Sequence, residues 1–157
     1  MRLVIQRVRE ANVEVNHREV ARIGPGLVVL VGFTARDKPK DFPRIAETLV
    51  HLRVFDDEVG RLNRSLTEVG GEVLLVPEVP LVTSLTRGLR PSFDPAAPPS
   101  RAKSLFDALV QSIQAIYSRV SVGVFGASMV VHLANDGPVT FVLDAPSLTP
   151  SGSSASV

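Results

Sequence analysis

No cysteine occurs among the 157 residues of this chain, which excludes disulfides, thiolate nucleophiles and the usual structural zinc sites together. Nor is there an excess of charge of either sign. The 17 basic and 16 acidic residues nearly cancel, so the chain carries no global signature of a nucleic-acid binder, and any such surface has to be a local patch. Long apolar runs are missing too. None reaches the ~18 residues that a membrane-spanning helix needs, and Arg2, Arg7, Arg9 and Glu10 interrupt the segment that would have to form the apolar core of a signal peptide. These absences predict a soluble, cytoplasmic protein with no membrane partner. No internal repeat and no G-x-S-x-G nucleophile elbow is present. The histidines, His17, His51 and His132, lack the spacing of a metal site, so neither a metal nor a cofactor is expected.

What the chain does have is enough length and apolar content for one core. At 45% hydrophobic residues, a chain of this size buries most of its apolar surface as a single domain. Residues 1–145 are expected to form that domain, and the Ser/Pro-rich residues 146–157 have the composition of a disordered tail. Residues 2–15 alternate as a long strand with Val4, Val8, Val13 and Val15 as core positions, and the polar VNHREV turns the chain into a second strand near residues 19–23. After Gly24-Pro25-Gly26, LVVLVGF is a continuous apolar run of strand length, as a central strand buried on both faces requires. FPRIAETLVHL spaces Phe42, Ile45, Ala46, Leu49 and Leu52 at helical intervals, with Pro43 in the first turn, where its missing amide is tolerated. RVF, EVLLV, VSVGVF, MVVHLAN and VTFVLDA read as further strands, the last two separated by the turn Asp136-Gly137-Pro138. From Ser100 as N-cap, Ala102, Leu105, Phe106, Leu109, Val110, Ile113, Ile116 and Tyr117 make a wide apolar stripe along a long helix. The sum is an α+β fold: a mostly antiparallel sheet with a barrel-like curl and two main helices.

Two places break the pattern. Pro77 and Pro80 interrupt the apolar run VPEVPLV just after EVLLV, and a strand interior cannot spare two amide donors. GVFGAS places Gly123 and Gly126 amid strand signals, which suggests a bulge or a close backbone approach. GPGLVVLVG also begins with glycines, but it leads into a strand and offers no helix N-terminus to hold a phosphate.

The stretches VIQRV, GPGLVVLVG, LRVFDDEVGRLN, TRGLRPSF, GVFGASM and NDGPVTF run in order over roughly residues 1–144. Together they resemble the D-aminoacyl-tRNA deacylases (D-tyrosyl-tRNA deacylase-like proteins). The resemblance implies a homodimer of α+β subunits that hydrolyses the ester joining a D-amino acid, or glycine mischarged on tRNA-Ala, to the terminal adenosine of tRNA, a proofreading step for translation. Aminoacyl-tRNA is the implied partner. Gly137-Pro138 matches the family's Gly-Pro motif, whose peptide bond is cis in typical members and which reaches into the other subunit's active site, where main-chain carbonyls reject an L side chain. Arg7 matches the arginine that steadies this motif. Phe125 and Met129 match positions that help form the adenosine pocket, where a base stacks naturally on an aromatic ring. Arg87, Arg90, Arg101 and Lys103 make the densest basic stretch and are candidates for contact with tRNA phosphates.

In place of the family's Ser-Gln-x-Thr-Leu loop this chain carries Pro77, Glu78, Val79, Pro80 and Leu81, of which only Leu81 and the free position Val79 agree. The catalytic segment that the resemblance implies is therefore Pro77, Glu78, Val79 and Pro80, with both hydroxyls gone and a carboxylate where an amide is usual. Proline contributes no amide, which leaves those of Glu78, Val79 and Leu81, and Glu78 and Val79 are the expected oxyanion donors. The substrate's own 2′-hydroxyl can assist hydrolysis, as the resemblance implies, and Glu78 is a candidate proton acceptor. The alternatives are a homologue that binds the aminoacyl-tRNA 3′ end without turnover and a deacylase of shifted substrate.

Overall fold

A computed structural model describes residues 1–86 and 88–145. Its spine is β1 (Arg2–Val15), the long strand expected from the alternation. Leu3 and Ile5 are buried on one face of it, and Val8, Ala11 and Val13 are buried further along. Val8 and Val13 thus fill the core as expected, whereas Val4 and Val15 are only half-buried. The reason is geometric, since side chains alternate across a strand: Val4 lies opposite Leu3 and Ile5, and Val15 lies beside the turn. There Asn16 and His17 adopt positive φ angles of 51° and 63°, the conformation of a two-residue hairpin turn, and reverse the chain into β2 (Arg18–Ile23).

β3 (Gly26–Gly32) lies antiparallel to the first half of β1, and its Leu27, Val28 and Val29 are fully enclosed. It is the central strand that its unbroken apolar run predicts. A Cβ on Gly26 would lie 1.9 Å from the carbonyl oxygen of Glu72, so only glycine allows the two backbones to approach there. The chain continues through α1 (Phe42–His51), the hairpin β4 (Arg53–Asp56) and β5 (Leu62–Ser65), and α2 (Leu66–Val69), whose Ser65 and Glu68 form a capping box. β6 (Glu72–Pro77) then pairs parallel to β3. A second crossover, α3 (Pro99–Gln114), leads to β7 (Val120–Val122), parallel to β6, and β8 (Val130–Asp144) returns along the free side of β1. Parallel pairing demands such long connections, and the helices are what fills them.

The sheet order is β2-β1-β3-β6-β7, with β8 added to β1. Because β1 pairs with β3 through its first half and with β2 through its second, the sheet curls towards a barrel. One cluster, with Leu3, Val29, Leu49, Leu105 and Leu109, lies between sheet and helices, and a second, with Val8, Val13, Val28, Leu74 and Val76, lies inside the curl. The fold is α+β with two main helices, as expected, antiparallel around β1 and parallel across β3-β6-β7.

Three boundaries differ from expectation. Pro98, not Ser100, is the N-cap of α3, because Pro99 presets the first helical φ and Ser100 falls inside the first turn. The helix ends at Gln114, so Ile116 is exposed and Tyr117 lies past its end, donating its hydroxyl to the Gly71 carbonyl. The strands expected on either side of Asp136-Gly137-Pro138 are one strand, β8. Gln6 pairs with Thr140 and Val8 with Asn135, so residues 136–139 bulge out opposite Arg7 alone instead of reversing the chain. The tail expected at 146–157 lies outside the described residues. Among the described residues, no helix is long and apolar enough to cross a membrane.

Candidate functional site

The proline segment resolves where β6 ends. Pro77 is the last strand residue, opposite Val31, and Pro80 lies in a 3-10 turn over Val79–Val82. The missing donors are harmless here because the ladder stops. The amide of Glu78 donates to the Val31 carbonyl at 2.8 Å and closes the last rung. The Leu81 amide donates to the Glu78 carbonyl at 3.3 Å. Of the two expected oxyanion donors, Glu78 is therefore already engaged. Val79 opens the 3-10 turn, where an amide has no intrahelical acceptor, and it donates to no backbone acceptor among the described residues.

Pro77, Glu78, Val79 and Pro80 together line a cavity of about 640 Å3, and Phe125 and Met129 line the same cavity. Six residues singled out from the sequence thus meet in one place. Phe125 is held by its tilted contact with Phe106 of α3, ring centroids 6.3 Å apart. Gly123 explains how the post-β7 segment comes so close: a Cβ there would lie 3.0 Å from the Met129 sulfur and 3.5 Å from Pro77 Cδ. GVFGAS is therefore a close approach, as its glycines suggest, and Gly126 adopts a φ of 79° in the turn that follows. Glu78 is half-buried and is the only ionisable side chain among the described residues lining the cavity.

Phe93 lines this cavity too. Its stretch, TRGLRPSF, is singled out in the sequence, but no local pattern there marks Phe93 as facing the site. The opposite wall of the loop, at Leu81 to Thr83, borders a separate cavity of about 710 Å3. Arg2 lines that second cavity, with Nη1 3.4 Å from the Leu81 carbonyl and Nε donating to Asp144 at 2.9 Å. That hydrogen bond holds the Asp144 carboxyl below its ordinary range.

Gly137 and Pro138 lie elsewhere. Both are exposed on the β8 bulge, joined by a cis peptide bond, and neither lines the cavity. Arg7, at 6% exposure, is the only charged side chain in the core of the described residues. Its Nε donates to the Asp136 carbonyl at 3.1 Å and its Nη1 to the Val54 carbonyl at 3.0 Å. Its guanidinium also pairs with Asp56 at 3.3 Å and with the Asp136 carboxylate at 3.4 Å. Asn135 Nδ2 donates to the Arg7 carbonyl at 2.9 Å and to the Val139 carbonyl at 3.0 Å. The bulge is therefore fastened at both ends, and Arg7 does contact the segment that sequence resemblance pairs it with.

Two of the basic candidates are engaged within the described residues. Arg101 donates to the Asp37 carbonyl at 2.9 Å, and Lys103 pairs with Asp107 one turn along α3 at 2.7 Å. Arg90 is exposed on the loop between Ser84 and Ser92, and Arg87 lies outside the described residues. No group of three His, Cys, Asp or Glu able to hold a metal occurs among the described residues.

The arrangement has known counterparts. The model of the D-Tyr-tRNA(Tyr) deacylase family matches residues 4–144. The D-aminoacyl-tRNA deacylase of Ectopseudomonas mendocina (strain ymp) is 49% identical over 144 residues, covering 92% of this chain and 99% of the relative. That of Solidesulfovibrio magneticus is 51% identical over 154 residues, covering 94% and 98%. Among solved structures, the c-Myc DNA Unwinding Element Binding Protein superimposes with a TM-score of 0.86 at 33% identity, covering 92% of this chain and 98% of that one. A probable eukaryotic D-amino acid tRNA deacylase shares the fold at 18% identity and a TM-score of 0.79, covering 90% and 97%.

Proposed function

The chain belongs to the D-Tyr-tRNA(Tyr) deacylase family, and from that premise we propose that it hydrolyses the ester of D-aminoacyl-tRNA, or of glycyl-tRNA mischarged on tRNA-Ala. It acts in the cytoplasm as a proofreading enzyme for translation. One observation carries the reading at the level of the site: the divergent loop 77–80 and the residues Phe125 and Met129 share one cavity.

In this reading the terminal adenosine of tRNA lies against Phe125 and Met129, with its base on the aromatic face. The ester carbonyl points at the Val79 amide, the donor that the loop still offers to a developing oxyanion. Water attacks the carbonyl carbon and gives its proton to Glu78, the only ionisable group among the described cavity-lining residues. The tetrahedral intermediate collapses, the bond from the carbonyl carbon to the ribose oxygen breaks, and that oxygen takes the proton. The products are the free amino acid and tRNA with its 3′-terminal hydroxyl.

Chirality is read by main chain. Gly137 and Pro138 are exposed and line no part of the described cavity of their own subunit, which fits a homodimer in which the bulge of one copy enters the cavity of the other. Arg7 is the positioning residue for that bulge. A D-amino acid, or glycine, presents only hydrogen where an L side chain would collide with the carbonyls.

The test is a deacylation assay with D-tyrosyl-tRNA and glycyl-tRNA, alongside sedimentation of the free protein. Hydrolysis of either substrate by a dimer is expected. Binding of tRNA without hydrolysis overturns the enzyme reading in favour of a binding module, and a monomer that still discriminates D from L overturns the role of the bulge. Glu78→Gln is expected to lower kcat by about 10²-fold or more with little change in KM. An unchanged rate removes Glu78 from the mechanism.

A further inference from the structure

Phe93 is a large apolar side chain left 54% exposed at the cavity. Scattered exposed apolar residues are ordinary on a protein surface, but this one is held in place. The Ser84 and Ser92 backbones exchange two hydrogen bonds, at 2.9 and 2.8 Å, immediately before it. The Phe93 carbonyl accepts from the Ala96 amide at 2.9 Å, and the Ala97 amide, next in the chain, donates to Phe33 of the main fold at 2.9 Å. A backbone fastened on both sides presents the ring to solvent by construction.

The cavity then has two aromatic residues at different depths. Phe125 is partly buried and packed on Phe106, whereas Phe93 is open to solvent. Arg90 is exposed on the same loop and joins no ion pair among the described residues. An outer aromatic face with an exposed arginine three residues before it in the chain suits an unpaired nucleotide, the ring stacking on the base and the guanidinium meeting the phosphate.

We propose that Phe93 is a second stacking platform, which takes the base of the nucleotide preceding the terminal adenosine, with Arg90 near its phosphate. This rests on the deacylase reading, because it extends the cavity proposed for the adenosine by one residue of the unpaired tRNA 3′ end. It predicts that the enzyme recognises more than an aminoacylated adenosine.

Two non-hydrolysable ligands test it by calorimetry: 3′-deoxy-3′-(D-tyrosylamino)adenosine and the same molecule extended by a 5′ cytidylyl residue. The full-length protein is expected to bind the extended ligand about tenfold more tightly. Phe93→Ala should abolish that gain and leave affinity for the short ligand within about twofold, whereas Phe93→Trp should retain the gain. Equal binding of the two ligands by the unaltered protein overturns the subsite alone. Equal weakening of both by Phe93→Ala also overturns it, because the ring then supports the adenosine or the fold. Binding of neither ligand overturns the deacylase reading as well. If Phe93→Ala instead changes the sedimentation coefficient, the ring belongs to a subunit contact and the proposal fails.

Discussion

The loop at Pro77 to Pro80 and the bulge at Asp136 to Val139 are both places where the chain leaves a sheet ladder, and they deal with the freed polar groups in opposite ways. In the loop, proline removes two amides outright, the Glu78 amide closes the last rung, and the Val79 amide stays open. In the bulge, Pro138 removes a single amide. The carbonyls at its two ends, of Asp136 and Val139, are met by a buried guanidinium and by Asn135. The first solution makes an apolar, largely donor-free wall suited to stacking. The second makes a rigid backbone projection held from below. The first depends on few long-range contacts, and the second depends on one residue above all.

That contrast orders what mutations should do. Arg7→Met removes the partner of two carbonyls and two carboxylates, and is expected to cost about 2–4 kcal/mol in urea denaturation and to abolish D-over-L selectivity. A loss below 1 kcal/mol would show that the bulge holds without it. Gly137→Ala comes next. Gly137 has a φ of 128°, and a Cβ would lie 2.7 Å from Val139 Cγ2 and 3.1 Å from Arg7 Nη2. About 1–3 kcal/mol of strain is expected, with a fall of about tenfold or more in the ratio of D- to L-tyrosyl-tRNA hydrolysis. Pro80→Thr probes the loop. Relaxing the unfolded chain should cost only about 0.4–1 kcal/mol, while the regained amide and hydroxyl should raise kcat by about tenfold, and an unchanged rate would mean that position 80 points no donor at the ester.

The smallest effect belongs to surface carboxylates outside both segments. Arg22 and Asn12 hydrogen-bond Glu19 and bring it down from 4.5 to about 2, and Arg2 lowers Asp144 likewise. A folded-state pKa below the unfolded one means stability that is complete above the unfolded value and is lost as pH falls through the folded value. Thermal stability should therefore be flat above about pH 5 and decline between 4.5 and 2, and Glu19→Gln should make that decline shallower. Both groups are exposed, so solvent screening keeps the effect small.

Much of the fold was legible because its signals are local. The unbroken run LVVLVGF marks β3, Pro43 marks the start of α1, and the spacing from Ala102 to Ile113 marks α3. Val4 and Ser100 depart from expectation for equally local reasons: alternation names two faces without saying which is buried, and Pro98-Pro99 initiates a helix more strongly than a nearby serine caps it. The bulge at Gly137-Pro138 reads as a turn because its dipeptide does, and only pairing of β8 with β1 on both sides shows that the chain carries straight on. Phe93 is held at the cavity by the backbone bonds of Ser92 to Ser84 before it and of Ala97 to Phe33 after it, neither of which has a periodic signature.

By itself the sequence determined the element types and, through resemblance, the family, because hydrophobic period, turn residues and motif order are properties of neighbours along the chain. Only the tertiary structure decided that the Glu78 amide is occupied and that Arg7 grips Val54 and Asp136, which are 47 and 129 residues away. Only it decided that the loop, Phe93, Phe125 and Met129 share a wall. Hydrogen-bond partners and cavity neighbours are set by how distant strands register, and a one-residue shift in register exchanges the face that every side chain presents.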